Sequence, residues 1–234
     1  MAYIVEIDEL KKTYKNTVAL SSINLKVKKG KVLGVLGPNG SGKTTLIKIL
    51  NGLLTPTKGQ VLIDGNKIGP STKAITSYLP DRNFLYDWMD IQDSMDFYKD
   101  FYEDFNEDKF NDLINFMNLR KDMKVKSLSK GMHEKLNLSL VLSREAKLYI
   151  LDEPIAGVDP IARDQILNAI IDNYREDSAM IITTHLVREM ENLLDEVAFL
   201  SQGRILLHGD TEVLREERQM QIEDLYKEIF RMEG

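Results

Sequence analysis

The spacing of apolar positions along this chain changes several times, and each change predicts an element. Between Ile4 and Val27, pieces such as YIVEIDEL and VALSSINLKV alternate apolar and polar residues, as half-buried antiparallel strands do. KVLGVLG is a short apolar strand, followed after a glycine-rich stretch by TTLIKILNGL, a helix start. TPTKG is a turn, QVLIDG a strand closed by Asp64-Gly65, and ITSYLP a brief strand ending at Pro80. From Phe84 to about Leu142 the spacing becomes helical, and DFYKDFYEDFNEDKFNDLINFMNL carries many acids, lysines and aromatics. KLYILDEP and AMIITT are strands of the fully buried parallel kind. VAFLSQGRILLHG predicts a hairpin turning on Gln202-Gly203. From Thr211 a charged helix follows, with apolar positions at Leu214, Met220, Ile222, Leu225 and Ile229. Strands and helices in this order predict an α/β core with a helical insert.

Bulk properties narrow the picture only a little. A chain of 234 residues suits one sizeable domain, or a core with one inserted lobe. It has no apolar run of the ~18 residues a membrane span needs, and MAYIVEIDEL is a strand pattern rather than a signal peptide. The absence of cysteine excludes disulfides, thiolate metal ligands and a cysteine nucleophile. A net charge of −6 argues against a general nucleic-acid binder.

The chemistry begins at GPNGSGKTT, Gly37 to Thr45, which meets every fixed position of G-x-x-x-x-G-K-[ST] between a strand and a helix. Gly37, Gly40 and Gly42 let successive N–H groups turn inward around an anion, with Pro38, Asn39 and Ser41 completing the loop. The helix beginning near Lys43 points its positive end into the same cradle. Lys43 would reach β- and γ-phosphates, and Thr44 would hold Mg²⁺, with Thr45 beside it. The pattern predicts nucleoside triphosphate binding.

A second group lies at strand ends. Leu148 to Leu151 run directly into Asp152-Glu153, an acidic pair where ligands bind in open α/β sheets. Asp152 suits a Mg²⁺ water shell, and Glu153 suits orientation or deprotonation of an attacking water. His185 follows Ile181–Thr184 at the same sheet edge; it is either a hydrogen-bonded structural residue or a neutral imidazole linking the γ-phosphate to Glu153. His133 and His208 have no such placement.

With these motifs in this order, the chain resembles the ATP-binding subunit of an ABC transporter over essentially its whole length. LSKGM (Leu128–Met132) stands where that family carries LSGGQ, AGVD (Ala156–Asp159) matches its interface loop, and TTHLVREME its switch-histidine segment. Tyr14 matches the aromatic that stacks on adenine. The resemblance implies a P-loop NTPase fold: a RecA-like core with a mixed sheet, an antiparallel β subdomain and an inserted helical signature subdomain. In a single domain over 1–234, it places the core at about 1–84 and 143–210, the helical subdomain at about 85–142 and a helical tail at 211–234. It further implies ATP and Mg²⁺ as ligands and a head-to-tail dimer in which Ser129, Lys130, Gly131 and Asp159 reach the partner's nucleotide. The remaining partner is an integral membrane permease subunit, which would hold the chain at the cytoplasmic face of the membrane; no nucleic acid is expected.

Two departures matter. Asp81, in SYLPDRNF, stands where the family has a Mg²⁺-ligating glutamine. It either ligates the metal or its water, or holds the loop by a turn bond. Lys130 replaces a signature glycine; it either meets the partner's ATP or is solvated. These variants are similar to ATPase subunits of ABC-2 type bacterial exporters of antimicrobial or cytolytic peptides, phenol-soluble modulin exporters among them. In that family a cleft receives a helix of the membrane subunit, and Phe84, Tyr86 and Trp88 are the candidates for it here. The competing expectations are a soluble ABC ATPase acting on DNA or ribosomes, and a regulatory ATP-binding module with little turnover.

Overall fold

The computed structural model describes residues 3–231. The alternating segments become β1 (Tyr3–Tyr14) and β2 (Thr17–Lys28), paired antiparallel, and the apolar run after them becomes β3 (Lys31–Leu36). After α1 (Lys43–Leu50) come β4 (Lys58–Ile63), β5 (Asn66–Lys67), α2 (Pro70–Ala74) and β6 (Thr76–Leu79). The helical stretch resolves into α3 (Ile91–Phe101), α4 (Glu107–Phe116) and α5 (Lys130–Leu142). The last part holds β7 (Leu148–Asp152), α6 (Pro160–Asp172), β8 (Ala179–Thr184), α7 (Val187–Met190), β9 (Glu196–Ser201), β10 (Arg204–Asp210), α8 (Thr211–Arg218) and α9 (Ile222–Arg231).

Two sheets result. The antiparallel one runs β2-β1-β4-β5; the mixed one runs β10-β9-β3-β8-β7-β6, parallel except for the β9–β10 hairpin. This is the mixed α/β architecture expected of a P-loop NTPase. β3 sits mid-sheet, and its side chains divide with the period of two that a strand imposes. Leu33 and Val35 join α1 and the antiparallel sheet, while Val32 and Leu36 join the helical insert and the C-terminal helices. Burying one such side chain is worth about 1.5–3 kcal/mol, so packing on both faces, rather than propensity, fixes the strand.

Helix ends follow local chemistry. Asp90 and Asp93 form a reciprocal capping box at α3, Asn106 caps α4, Ser129 caps α5 and Asp159 caps α6. The tail departs from expectation: it is two helices, not one, broken at Gln219, which adopts a left-handed φ of 53°. The apolar spacing runs through the break, and neither glycine nor proline marks it. The ends of the expected domain and tail, residues 1–2 and 232–234, lie outside the described residues. Among the described residues no helix is long and apolar enough to cross a membrane.

Candidate active site

Three neighbouring strands deliver the site. β3 lies beside β8 with Leu36 opposite Thr184, and β8 lies beside β7 with Thr183 opposite Asp152. The loop after β3, the acidic pair after β7 and His185 after β8 therefore emerge at one sheet edge.

The phosphate loop has little room for side chains at two points. A Cβ on Gly37 would strike the Leu200 carbonyl and lie 2.8 Å from Ser41 Oγ. Gly42 has φ 115°, and a Cβ there would stand 2.8 Å from the Ala19 carbonyl. Gly42 caps α1 without a side-chain bond, and no acid occupies the first turn. The first-turn N–H groups of α1 have no intrahelical acceptor and are available to an anion. Ser41 Oγ is buried and has no hydrogen-bond partner among the described residues, while Pro38, Asn39, Gly40 and Thr44 are exposed and Thr45 is half-buried.

Lys43 is buried, with Nζ donating to the carbonyls of Gly37 (2.6 Å) and Pro38 (3.2 Å) and 3.9 Å from Glu153 Oε1. Burial pushes its pKa down, and the charges of Glu153 and Asp152 oppose that shift. A cation folded onto neutral carbonyls fits a phosphate site before its ligand arrives.

Asp152 is buried and accepts from the Thr183 hydroxyl. Burial pushes its carboxyl pKa up; the Thr183 bond opposes this, and the charges of Asp81 and Glu153 add to it. Asp81, exposed just after β6, is thus electrostatically joined to Asp152, and both also act on Tyr78, raised to about 12 chiefly by burial. Glu153 accepts from the backbone N–H of His185 (3.3 Å), and its Oε2 lies 2.9 Å from His185 Nδ1. The structure therefore brings together Lys43, Asp152, Glu153 and His185.

The other expected residues form a second group. Ser129 Oγ accepts from the Met132 N–H at the start of α5. Asp159 Oδ1 accepts from the N–H groups of Ile161 and Ala162. A Cβ on Gly131 would lie 3.3 Å from Asp159 Oδ2, and the Lys130 ammonium rests against Gly157 of the same subunit. The signature and interface loops touch each other. Tyr14, 42% exposed at the end of β1, carries the Lys12 ammonium 5.2 Å from its ring centre.

Of the expected groove residues, Phe84 lines a cleft of about 530 Å³ with Leu53, Tyr78, Tyr98, Tyr102 and Arg144. Tyr86 and Trp88 do not line it; they are exposed and stack on each other at 6.1 Å. Sequence reading missed Thr183, a threonine in an apolar strand. It also missed Arg144, which donates to Asp104 and to the Thr76 and Ala74 carbonyls and lies 3.9 Å from the Tyr102 ring centre.

A cradle of backbone N–H groups, a buried lysine and an acidic pair at a parallel sheet edge define a P-loop nucleoside triphosphatase. The family model described as "ABC transporter" matches residues 20–156, and the chain belongs to that family. YcbN, an ABC transporter ATP-binding protein of Bacillus subtilis (strain 168), is 30% identical over 223 residues, covering 92% of this chain and 72% of that protein. The lantibiotic transport ATP-binding protein SrtF of Streptococcus pyogenes is 32% identical over 210 residues, covering 88% of this chain and 91% of its own. A solved ATP-binding subunit of an ABC transporter superposes with a TM-score of 0.88 at 25% identity, covering 97% of this chain and 99% of that one. The chain is thus an ATPase that uses ATP with Mg²⁺, as its family does, in complexes of paired ATPase subunits and membrane permeases. The unpartnered Ser41 hydroxyl, the open helix start and one buried carboxylate fit a Mg²⁺–triphosphate, which needs only one or two protein oxygens on the metal.

Proposed function

We propose that two copies of this chain, or this chain and a homologous subunit, close head to tail on ATP and drive export of an amphipathic peptide through a membrane permease. The observation that carries the dimer is the division of the site. Gly37–Thr45, Asp152, Glu153 and His185 share one edge, while Ser129, Lys130, Gly131 and Asp159 cluster around the start of α5 as a second group. A partner's triphosphate would complete them.

In this reading Lys43 leaves the Gly37 and Pro38 carbonyls for the β- and γ-phosphate oxygens, and the loop N–H groups hold the rest. Tyr14 stacks on the base. Thr44 would hold Mg²⁺ directly, with Asp152 and Asp81 holding its water shell, and the metal would supply charge neutralisation on the transferring phosphoryl group. Glu153, held by His185, orients the water whose oxygen bonds to the γ-phosphorus as the bond to the β–γ bridging oxygen breaks. From the partner, Ser129 and the Gly131 N–H bind the γ-phosphate, with Lys130 released from Gly157 to join them. Hydrolysis removes the group that joins the halves, and the swing passes to a permease seated in the cleft beside Phe84.

Glu153→Gln should cut ATP turnover by about 10²–10⁴-fold and accumulate as an ATP-bound dimer on size exclusion. A mutant that stays monomeric with ATP bound would refute the dimer. The similarity to the lantibiotic transport protein SrtF, along nearly all of that protein, supports a peptide as the transported class. Co-expression with the permease should raise resistance to an amphipathic antimicrobial peptide, and unchanged sensitivity would remove that cargo class.

A further inference from the structure

The tail helices have no part in the chemistry above, yet they are bonded to the segment that carries His185. The α7 helix begins two residues after His185, and Glu191 closes it, donating its N–H to the Val187 carbonyl. Glu191, with 12% side-chain exposure, is a meeting point of three helices. Its carboxylate accepts from the Glu223 N–H at the start of α9 (3.2 Å) and lies 4.0 Å from Arg215 of α8. Arg215 also donates to the Glu191 carbonyl at 3.3 Å.

Apolar packing runs the same way. Ile222 and Leu225 of α9 are buried in one cluster with Val187, Met190 and Leu194. Farther along α9, Tyr226 and Phe230 lie ring to ring at 4.5 Å and each stands 6.4 Å from Phe199 of β9. Phe199 is opposite Leu36, the residue before the phosphate loop. From the other side, Arg163 of α6 donates to Glu189 of α7 at 3.0 Å. Tyr226 feels the site electrostatically: burial first, then the charge of Glu153, raises its hydroxyl.

We propose that α8 and α9 form a clamp on α7 that sets the position of His185 against Glu153, with Glu191 and Arg215 as positioning residues. The proposal rests on the reading of Glu153 and His185 as the hydrolytic pair. A four-residue helix cannot hold its own orientation, so the His185 ring, held on one side by Thr184 of β8, is held on the other by what grips α7. A bond of 2.9 Å between His185 and Glu153 is lost with a displacement of about 1 Å.

The test uses the full chain with saturating Mg²⁺ and ATP or a non-hydrolysed analogue. Glu191→Ala and Arg215→Met should each lower kcat about tenfold with KM for ATP within twofold. Glu191→Gln, which keeps an acceptor for the Glu223 N–H, should restore most of the rate. The protein has three histidines, so the His185 imidazole resonance is assignable by its loss in His185→Ala. It should shift in Glu191→Ala and Arg215→Met and return in Glu191→Gln. This resonance reports on the clamp even if the chain proved not to turn over ATP, so the two readings fail separately. An unmoved His185 resonance in both disrupting variants overturns the proposal. So does a rate loss that follows thermal stability, or a Glu191→Gln variant as impaired as Glu191→Ala.

Discussion

At Glu153 the backbone takes a φ of 54°, a left-handed conformation that costs a non-glycine residue about 1–2 kcal/mol. Its N–H still donates to the Thr183 carbonyl at 3.0 Å, so the chain leaves β7 with its last ladder bond intact and turns the carboxylate toward His185. Thr183 serves both acids: its carbonyl fixes Glu153 and its hydroxyl donates to buried Asp152. Burial drives the Asp152 carboxyl toward protonation, and the Thr183 hydroxyl is the foremost influence against it. Thr183→Val keeps the shape and removes that donor. A hydrogen bond to a charged group is worth about 1.5–3 kcal/mol, so Mg²⁺ affinity in ATP hydrolysis should fall about tenfold or more. A Mg²⁺ titration of the hydrolysis rate checks this; an unchanged midpoint would show that the hydroxyl does not tune the ligand. Asp152, Glu153 and His185 were legible because an acidic pair ending an apolar run, and a histidine ending another, carry their own spacing. Thr183 was not, because threonine inside AMIITT reads equally as a β-former.

Among elements, α5 ties the signature loop to the core, and its inner face holds a misplaced charge. Glu134, one turn after Lys130, has its carboxyl pushed up to about 7 by burial, with Lys130 opposing and Asp81 adding to the shift. The unfolded chain releases that proton near the usual value of 4.5. Between these values the folded chain binds more protons, so stability falls as pH rises from 4.5 to 7, and the penalty is complete above 7. Glu134→Gln should therefore unfold later than the parent at pH 8, by about 2 kcal/mol after allowance for partial solvation, and match it near pH 4.5. Urea titrations at both pH values decide it. Arg144 acts oppositely, as a pin: it is 2% exposed, and it joins Asp104, between α3 and α4, to the carbonyls flanking the start of β6. Arg144→Met leaves those carbonyls unpaired and should cost about 3 kcal/mol, below the full value for a buried pair because Asp104 is partly solvated. Period alone revealed the strands and the helical stretch, but not this pin or the break at Gln219, since a buried arginine and a left-handed glutamine leave no periodic mark.

In the whole molecule, the two hydrophobic clusters meet across the mixed sheet, and the cleft beside the helical insert opens where α1 and β6 face α3. Its walls combine rings from the insert (Tyr98, Tyr102) with Leu53 and Tyr78 from the core, so relative motion of the two would change its width. A permease helix seated there would feel ATP-driven closure without touching nucleotide. Aromatics in the sequence pointed to this neighbourhood through Phe84, but only the fold separates the lining rings from the exterior pair Tyr86 and Trp88. Leu53 is 58% exposed and bears on no residue of the site, so Leu53→Glu should change stability by no more than about 0.5 kcal/mol and leave basal ATP hydrolysis at the parent rate. A carboxylate desolvated under an apolar docking helix is costly even with Lys48 and Lys73 lining the same cleft, because desolvating an ion pair can cost more than its attraction returns. The variant should therefore lose co-purification with the permease in detergent and lose permease-dependent stimulation of hydrolysis by more than tenfold. Retained stimulation would show that the permease is received elsewhere, and that closure reaches it by a surface other than this cleft.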